Sequence, residues 1–222
     1  MEPGEGGQEE RDLSKGETTR RRILEIAEAS VLAKGFGATS IDEVIAEAGI
    51  TKSGFFYHFR DKNELAREML LHYVETNDRL LHGLFERGCE LTDDPLQALL
   101  VGLKLLAETM ADLPNGHPGC LIASICYQER LYDRQVREIM SRSSRNWVEF
   151  FRLRLVEVSG CHAPANPPDL EQLATMMSCL VHGSIIMSKV LDDPAILPRQ
   201  VLGFRDYIKL IFLPAAQLSL AA

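Results

Sequence analysis

Thr51, Lys52 and Ser53 stand side by side, and Tyr57 and His58 follow within the same eight-residue stretch. Short hydroxyls, one ammonium and a phenol form a donor set that can reach phosphate oxygens and base edges. Gly54 among them removes a side chain and so permits close approach to another surface. Thr39 and Ser40 add two hydroxyls at the expected start of the preceding helix, where free N–H groups and the helix dipole favour an anion. Tyr57, His58 and Lys62 are expected at the far end of the stretch, positioned for phosphates. The chemistry suggested is nucleic-acid contact without catalysis.

Those residues need a scaffold, and the apolar spacing supplies one. Ile41, Val44, Ile45 and Ala48 recur at i, i+3, i+4 and i+7, which predicts a helix over 41–48. Ser40 with Glu43 forms a capping box at its start, and Gly49 is suited to a left-handed stop. A short helix over 52–58, capped by Thr51, follows after Gly49 and Ile50 alone. A helix over 18–34, with Ile23, Ile26, Ala27 and Ser30 on one face, completes a three-helix unit containing a helix-turn-helix. In such a pair the second helix enters the major groove and the first lies across it. Pattern alone fits a small helical bundle equally well, and Ile41, Val44, Ile45, Ala48, Phe55 and Phe59 read simply as its core.

The rest of the chain is helical in pattern, with no alternating run that predicts a strand. A long helix is expected from the Asp61–Glu64 cap to about Gly88, then a stripe over 96–110 and a loop at 114–119. Further helices are expected from Leu121, over 133–158, over 169–191 and over 198–213. Composition is that of a soluble globular protein, 45% hydrophobic and 25% charged. The net charge of −8 argues weakly against a nucleic-acid partner, but residues 18–62 hold seven Lys/Arg against six Asp/Glu, a balance of +1. The Gly- and Glu-rich start, residues 1–16, predicts a disordered tail and lacks the apolar core of a secretion signal. The apolar stretch from Leu173 to Leu191 carries His182 and Lys189 and reads as a buried helix, not a membrane span. Five irregularly spaced cysteines fit a reducing cytoplasm better than a disulfide framework.

The run from Thr39 to Leu65, with Ala48-Gly49, Tyr57-His58-Phe59 and Lys62 before Glu64-Leu65, closely resembles the signature of the TetR family of bacterial repressors. Arg22-Ile23-Leu24 and Gly35-Phe36 extend the likeness, which covers residues 18–66. The resemblance implies an all-α homodimer, with a helix-turn-helix head over 17–63 and an effector-binding and dimerisation domain over 64–222. It implies a repressor that leaves a double-stranded operator when a small molecule binds the body. Carried over by position, Thr39, Ser40, Thr51, Lys52, Ser53, Tyr57, His58 and Lys62 would face DNA. No cofactor, metal or catalytic residue is implied. An all-helical enzyme is the weaker alternative, because the sequence offers no nucleophile–base pair, metal-ligand signature or phosphate loop. A head without an effector, acting constitutively, is another.

Candidate effector-pocket residues are the large side chains of the middle helices: Met110, Ile122, Trp147, Phe150, Phe151, Met177 and Met187, with Cys120. Each of these also reads as ordinary core. Cys120, in the run His117-Pro-Gly-Cys-Leu, has three readings: a buried structural thiol, a redox or electrophile sensor, or a metal ligand with His117 and Cys126. Dimerisation is expected from the late stripes Leu170, Leu173, Met177, Leu180, Ser184 and Val201, Phe204, Ile208, Ile211, Phe212, with Gly183 allowing close approach.

Overall fold

A computed structural model describes residues 14–128 and 132–213. Among them the chain forms nine helices and no strand. These are α1 (Lys15–Lys34), α2 (Ile41–Ala48), α3 (Lys52–His58), α4 (Lys62–Leu91), α5 (Pro95–Ala111), α6 (Leu121–Cys126), α7 (Arg134–Cys161), α8 (Leu170–Leu191) and α9 (Ile196–Phe212). Residues 1–13 of the expected tail lie outside the described residues. Lys15 and Gly16 belong instead to α1, which starts early because Ser14 and Glu17 make a reciprocal capping box.

Local chemistry sets the boundaries near the head. Ser40 accepts from the Glu43 amide at 3.2 Å while the Glu43 carboxylate accepts from the Ser40 amide at 3.1 Å. Gly49 ends α2 with φ 62°, ψ 36°, the left-handed conformation glycine adopts without a side-chain penalty. Thr51 caps α3 by accepting from the Gly54 amide at 3.1 Å. Asp61 caps α4 in the same way through Glu64, at 2.8 Å.

Two hydrophobic clusters organise the chain. One holds the head: Ile23, Ala27, Val44, Phe55, Phe59 and Met69 are all buried in it. It extends past residue 63, taking in Leu121 and Ile125 of α6 and Val136, Ile139 and Met140 of α7. The other cluster is built from α4, α5, α7, α8 and α9. Ion pairs brace the junction: Arg20 of α1 with Glu68 of α4, and Arg67 of α4 with Asp133, which also caps α7.

Helix α8 is long and apolar enough to cross a membrane by length and composition. Leu173, Ala174, Met177, Val181 and Ile185 are buried in the body core, so its inner face has the environment of a core helix.

The long helix was expected to reach about Gly88; α4 runs on to Leu91, and Gly88 has a packing role within it. A Cβ there would lie 2.5 Å from the Ala98 carbonyl oxygen of α5. Backbone cannot yield as a flexible side chain can, so Gly88 is where α4 and α5 touch. Gly88→Ala gains about 0.8–1.0 kcal/mol of helix propensity but overpacks the contact at about 1–3 kcal/mol. The net expectation is a lower melting temperature. Gly83→Ala, whose Cβ meets nothing within 4 Å, is expected to raise it. Calorimetry on both variants checks the contact, and a stabilised Gly88→Ala would overturn it.

Candidate functional site

Helix α3 projects from the head with its polar face open. Phe55 and Phe59 anchor it, both essentially inaccessible, with ring centroids 5.7 Å apart. Between these anchors the chain exposes Tyr57, at 84%. The His58 ring sits edge-on to Tyr57, centroids 5.0 Å apart. Thr51, Lys52 and Ser53 are exposed at the N-terminal end. Lys52 Nζ has only a loose contact, 3.9 Å from Asp42 Oδ1, between two well-exposed side chains. Such a pair is weak in water and a phosphate can displace it. A Cβ on Gly54 would come 3.3 Å from Thr51 Oγ1, so this glycine keeps the cap uncrowded as well as the surface low.

The first helix of the pair is less open to an anion than expected. The Ser40 amide is already taken by Glu43. The Lys34 ammonium, 2.7 Å from Glu43, together with Ser40, holds the Glu43 carboxyl at about 2, so it stays ionised at neutral pH. Ser40 Oγ accepts from the Glu43 amide, which leaves its own O–H free to donate.

Two expected contact residues are differently employed. Thr39 is 3% exposed, and its hydroxyl donates to the Gly35 carbonyl at 3.1 Å. That leaves Ser30 Oγ as the donor in its 3.1 Å contact with Thr39 Oγ1. The side chain is a latch between α1 and α2, and the expectation that it meets DNA is corrected. Lys62 Nζ donates to the Phe36 carbonyl at 2.7 Å and lies 4.6 Å from the Phe36 ring centroid. Burial draws its ammonium below the usual range, with Glu43 pulling the other way. Its observed role is to brace the α1–α2 turn against α4.

The body holds a cavity of about 70 Å³ walled by α4, α5, α6, α7, α8 and α9 and the loop before α6. Of the expected pocket residues, Met110, Cys120, Ile122 and Trp147 line it. Phe150, Phe151 and Met177 do not: they are buried in the body core, where Phe150 stacks edge-on to Phe85 and carries the Arg154 guanidinium 3.4 Å above its ring. Met187 is 46% exposed on the outer face of α8. The polar lining was not foreseen. Tyr73, Asn77 and Asp78 come from α4, His117 from the loop, Ser143 and Ser144 from α7 and His182 from α8. One signal was present in the sequence, an ionisable His182 within an otherwise apolar helix. His117 is held neutral, its ring pulled down to about 4 by burial first and by Lys189 and His182 second. Its Nδ1 accepts from the Gly119 amide at 3.2 Å. Among the described residues no three His, Cys, Asp or Glu gather as a metal site, so the grouping of His117, Cys120 and Cys126 does not form one.

The family model for bacterial regulatory proteins, tetR family, matches residues 23–69, spanning the capped pair and its anchors. The chain belongs to the TetR family of transcriptional regulators. Among its TetR-family relatives, the uncharacterised HTH-type transcriptional regulator YxaF of Bacillus subtilis is 26% identical over 184 residues, 81% of this chain and 89% of that one. HTH-type transcriptional regulator TtgR of Pseudomonas putida is 30% identical over 105 residues, 46% of each chain. A TetR-family regulator from Agrobacterium tumefaciens shares the fold, with TM-score 0.73 at 17% identity, covering 89% of this chain and all of the other. This TetR-family chain is therefore a DNA-binding regulator of transcription with a helix-turn-helix head.

Proposed function

We propose that the protein is a dimeric repressor in the bacterial cytoplasm, released from its operator when a small, largely apolar molecule enters the body cavity. The observation that carries this reading is the position of α6. Ile122 and the capping Cys120 line the cavity, while Leu121 and Ile125 are buried in the head core. One short helix therefore touches both the effector space and the DNA-reading unit. A molecule that changes the packing of α6 biases the head, provided it binds one arrangement better than the other. A tenfold loss of operator affinity needs about 1.4 kcal/mol of that preference. At 70 Å³ the cavity has room for only a few waters at roughly 10–15 Å³ each. Entry of anything drug-sized must therefore push its walls apart.

Ser40, Thr51, Lys52, Ser53, Tyr57 and His58 are the proposed DNA-facing set. The head spans roughly residues 17–63 and the body 64–222. The proposed dimer face is opposite to the stripe expected from sequence. Leu173, Met177, Val201, Phe204 and Ile208 are buried within the chain itself and are not available to a partner. Exposed on the outer faces of α8 and α9 are Met176, Met187, Val190, Leu202, Tyr207 and Leu210, with Gly183 and Gly203 open beside them. Eight such positions on two adjacent helices suit a second copy of the same surface.

The test uses DNA flanking the protein's own gene in a gel shift, with light scattering on the same sample. A species of about twice 24.8 kDa that shifts this DNA is expected. A monomer at micromolar concentration removes the paired half-site mechanism. Retention on DNA across a library of small apolar compounds removes release by an effector.

A further inference from the structure

The fold builds a nucleophile–base pair that no local spacing announced. Cys120 and His182 line the same cavity, and each is an electrostatic partner of the other. His182 Nδ1 lies 2.7 Å from the Ser178 carbonyl oxygen, which can only accept, so Nδ1 carries the proton. Nε2 is thereby left for the sulfur. The Ala123 amide points at Cys120 Sγ from 3.5 Å, and Tyr73 lines the cavity beside it as a further electrostatic partner. Burial pushes the thiol up, but His182 and the Ala123 amide pull it further down, and the net is below the usual thiol range. The same contact raises His182. Burial pushes the Tyr73 hydroxyl up, so it stays protonated and able to donate.

The walls choose the reagent. Leu106, Met110, Ile122, Trp147 and Val181 surround the pair, and the space is about 70 Å³. Small volume and mostly apolar walls favour a small neutral thiol reagent over a charged or bulky one.

We propose that Cys120 is a covalent capture site for small uncharged α,β-unsaturated carbonyl compounds, with His182 as its proton partner. The Cys120 proton passes to His182 Nε2. The sulfur pair forms a bond to the β-carbon, and the alkene π pair moves toward the carbonyl as an enolate. The proton held on His182 then goes to the α-carbon. A thioether results, every atom is retained, and no oxidant is required. This rests on the cavity being the effector site, because the adduct must occupy the space beside Ile122 to press on α6.

The test treats the full-length protein with methyl vinyl ketone and maps the adducts by mass spectrometry. Cys120 is expected to carry the first adduct, ahead of the exposed Cys89, Cys161 and Cys179, while a polyethylene-glycol maleimide labels exposed cysteines and spares it. The groups that set its pH profile are His182 and Lys189 on α8, His117 in the loop, Tyr73 and Asp78 on α4, Cys126 on α6 and, through Tyr73, Glu28 on α1. In His182→Gln the rate–pH curve should move up toward that of a free thiol, with a fall of about tenfold at neutral pH for each unit of displacement. A merely structural histidine would slow the reaction without moving the curve. Earlier reaction at Cys89, Cys161 or Cys179, or an unmoved curve in His182→Gln, overturns the proposal. Release of flanking DNA by the adduct in wild type but not in Cys120→Ser supports its regulatory meaning. A Cys120 adduct that stays on DNA overturns that meaning, while release by non-covalent compounds would leave the cavity reading standing.

Discussion

Lys52→Ala and Tyr57→Ala are each expected to weaken operator binding by about 1–3 kcal/mol per head, the range of a good base-edge contact. A dimer carries the substitution twice, so even the lower bound gives about 2 kcal/mol, roughly thirtyfold. The fold should be unaffected. Tyr57 is 84% exposed, and Lys52 holds only its loose contact with Asp42. Surface changes of this kind usually stay within about 0.5 kcal/mol of stability. Circular dichroism and a melting curve check the fold, and titration of DNA against salt checks the contact. If Lys52 meets phosphate, the salt slope drops by about one per head. If it meets a base, the slope holds and discrimination at one operator position relaxes. Affinity unchanged in both variants would remove α3 as the reading helix.

The head was legible because its information is local. Caps and stops reside in a few consecutive residues, so Ser40 with Glu43, Gly49 and Thr51 placed α2 and α3 at the observed ends. Side-chain availability was less legible. Thr39 and Lys62 are donors by type, but the partners that occupy them, Gly35 and Phe36, are fixed only when the α1–α2 turn folds back. Gly88 illustrates the same limit. A glycine near the end of a periodic run looks alike whether it stops a helix or lets another backbone approach, and only the position of Ala98 decides.

The cavity was the least legible feature. Phe150 and Met177 are the same kinds of residue as Trp147 and Met110, and helix rotation alone assigns one pair to the core and the other to the wall. Helices α8 and α9 each carry apolar residues on two faces, so periodicity could not tell the inward stripe from the outward one. Cys120 and His182 are far apart in sequence, and no spacing rule links them.

Ile125 offers the decisive test of how cavity and head communicate. It is fully buried in the head core, one turn along α6 from Leu121, and unlike its neighbour Ile122 it does not line the cavity. Ile125→Ala removes buried carbon from a site enclosed by several elements and should cost about 2–5 kcal/mol. Marginal stability of about 5–15 kcal/mol makes that a large share, so the denaturation midpoint should fall sharply. Ile125→Val, at about 0.5–1.5 kcal/mol, keeps the fold and loosens only the contact between α6 and the head. In that variant operator affinity without effector should stay near wild type, because α3 is untouched. The drop in affinity caused by an effector should shrink, since α6 then transmits less of the difference between the two states. Ile122→Ala enlarges the cavity side instead and should change effector affinity more than stability. By reciprocity, whatever coupling Ile125→Val loses on the DNA side must be lost equally in the effect of DNA on effector affinity. An Ile125→Val protein with full wild-type release would show that the signal bypasses α6, most directly through α4, which lines the cavity with Tyr73 and Asn77 and enters the head core with Leu65 and Met69.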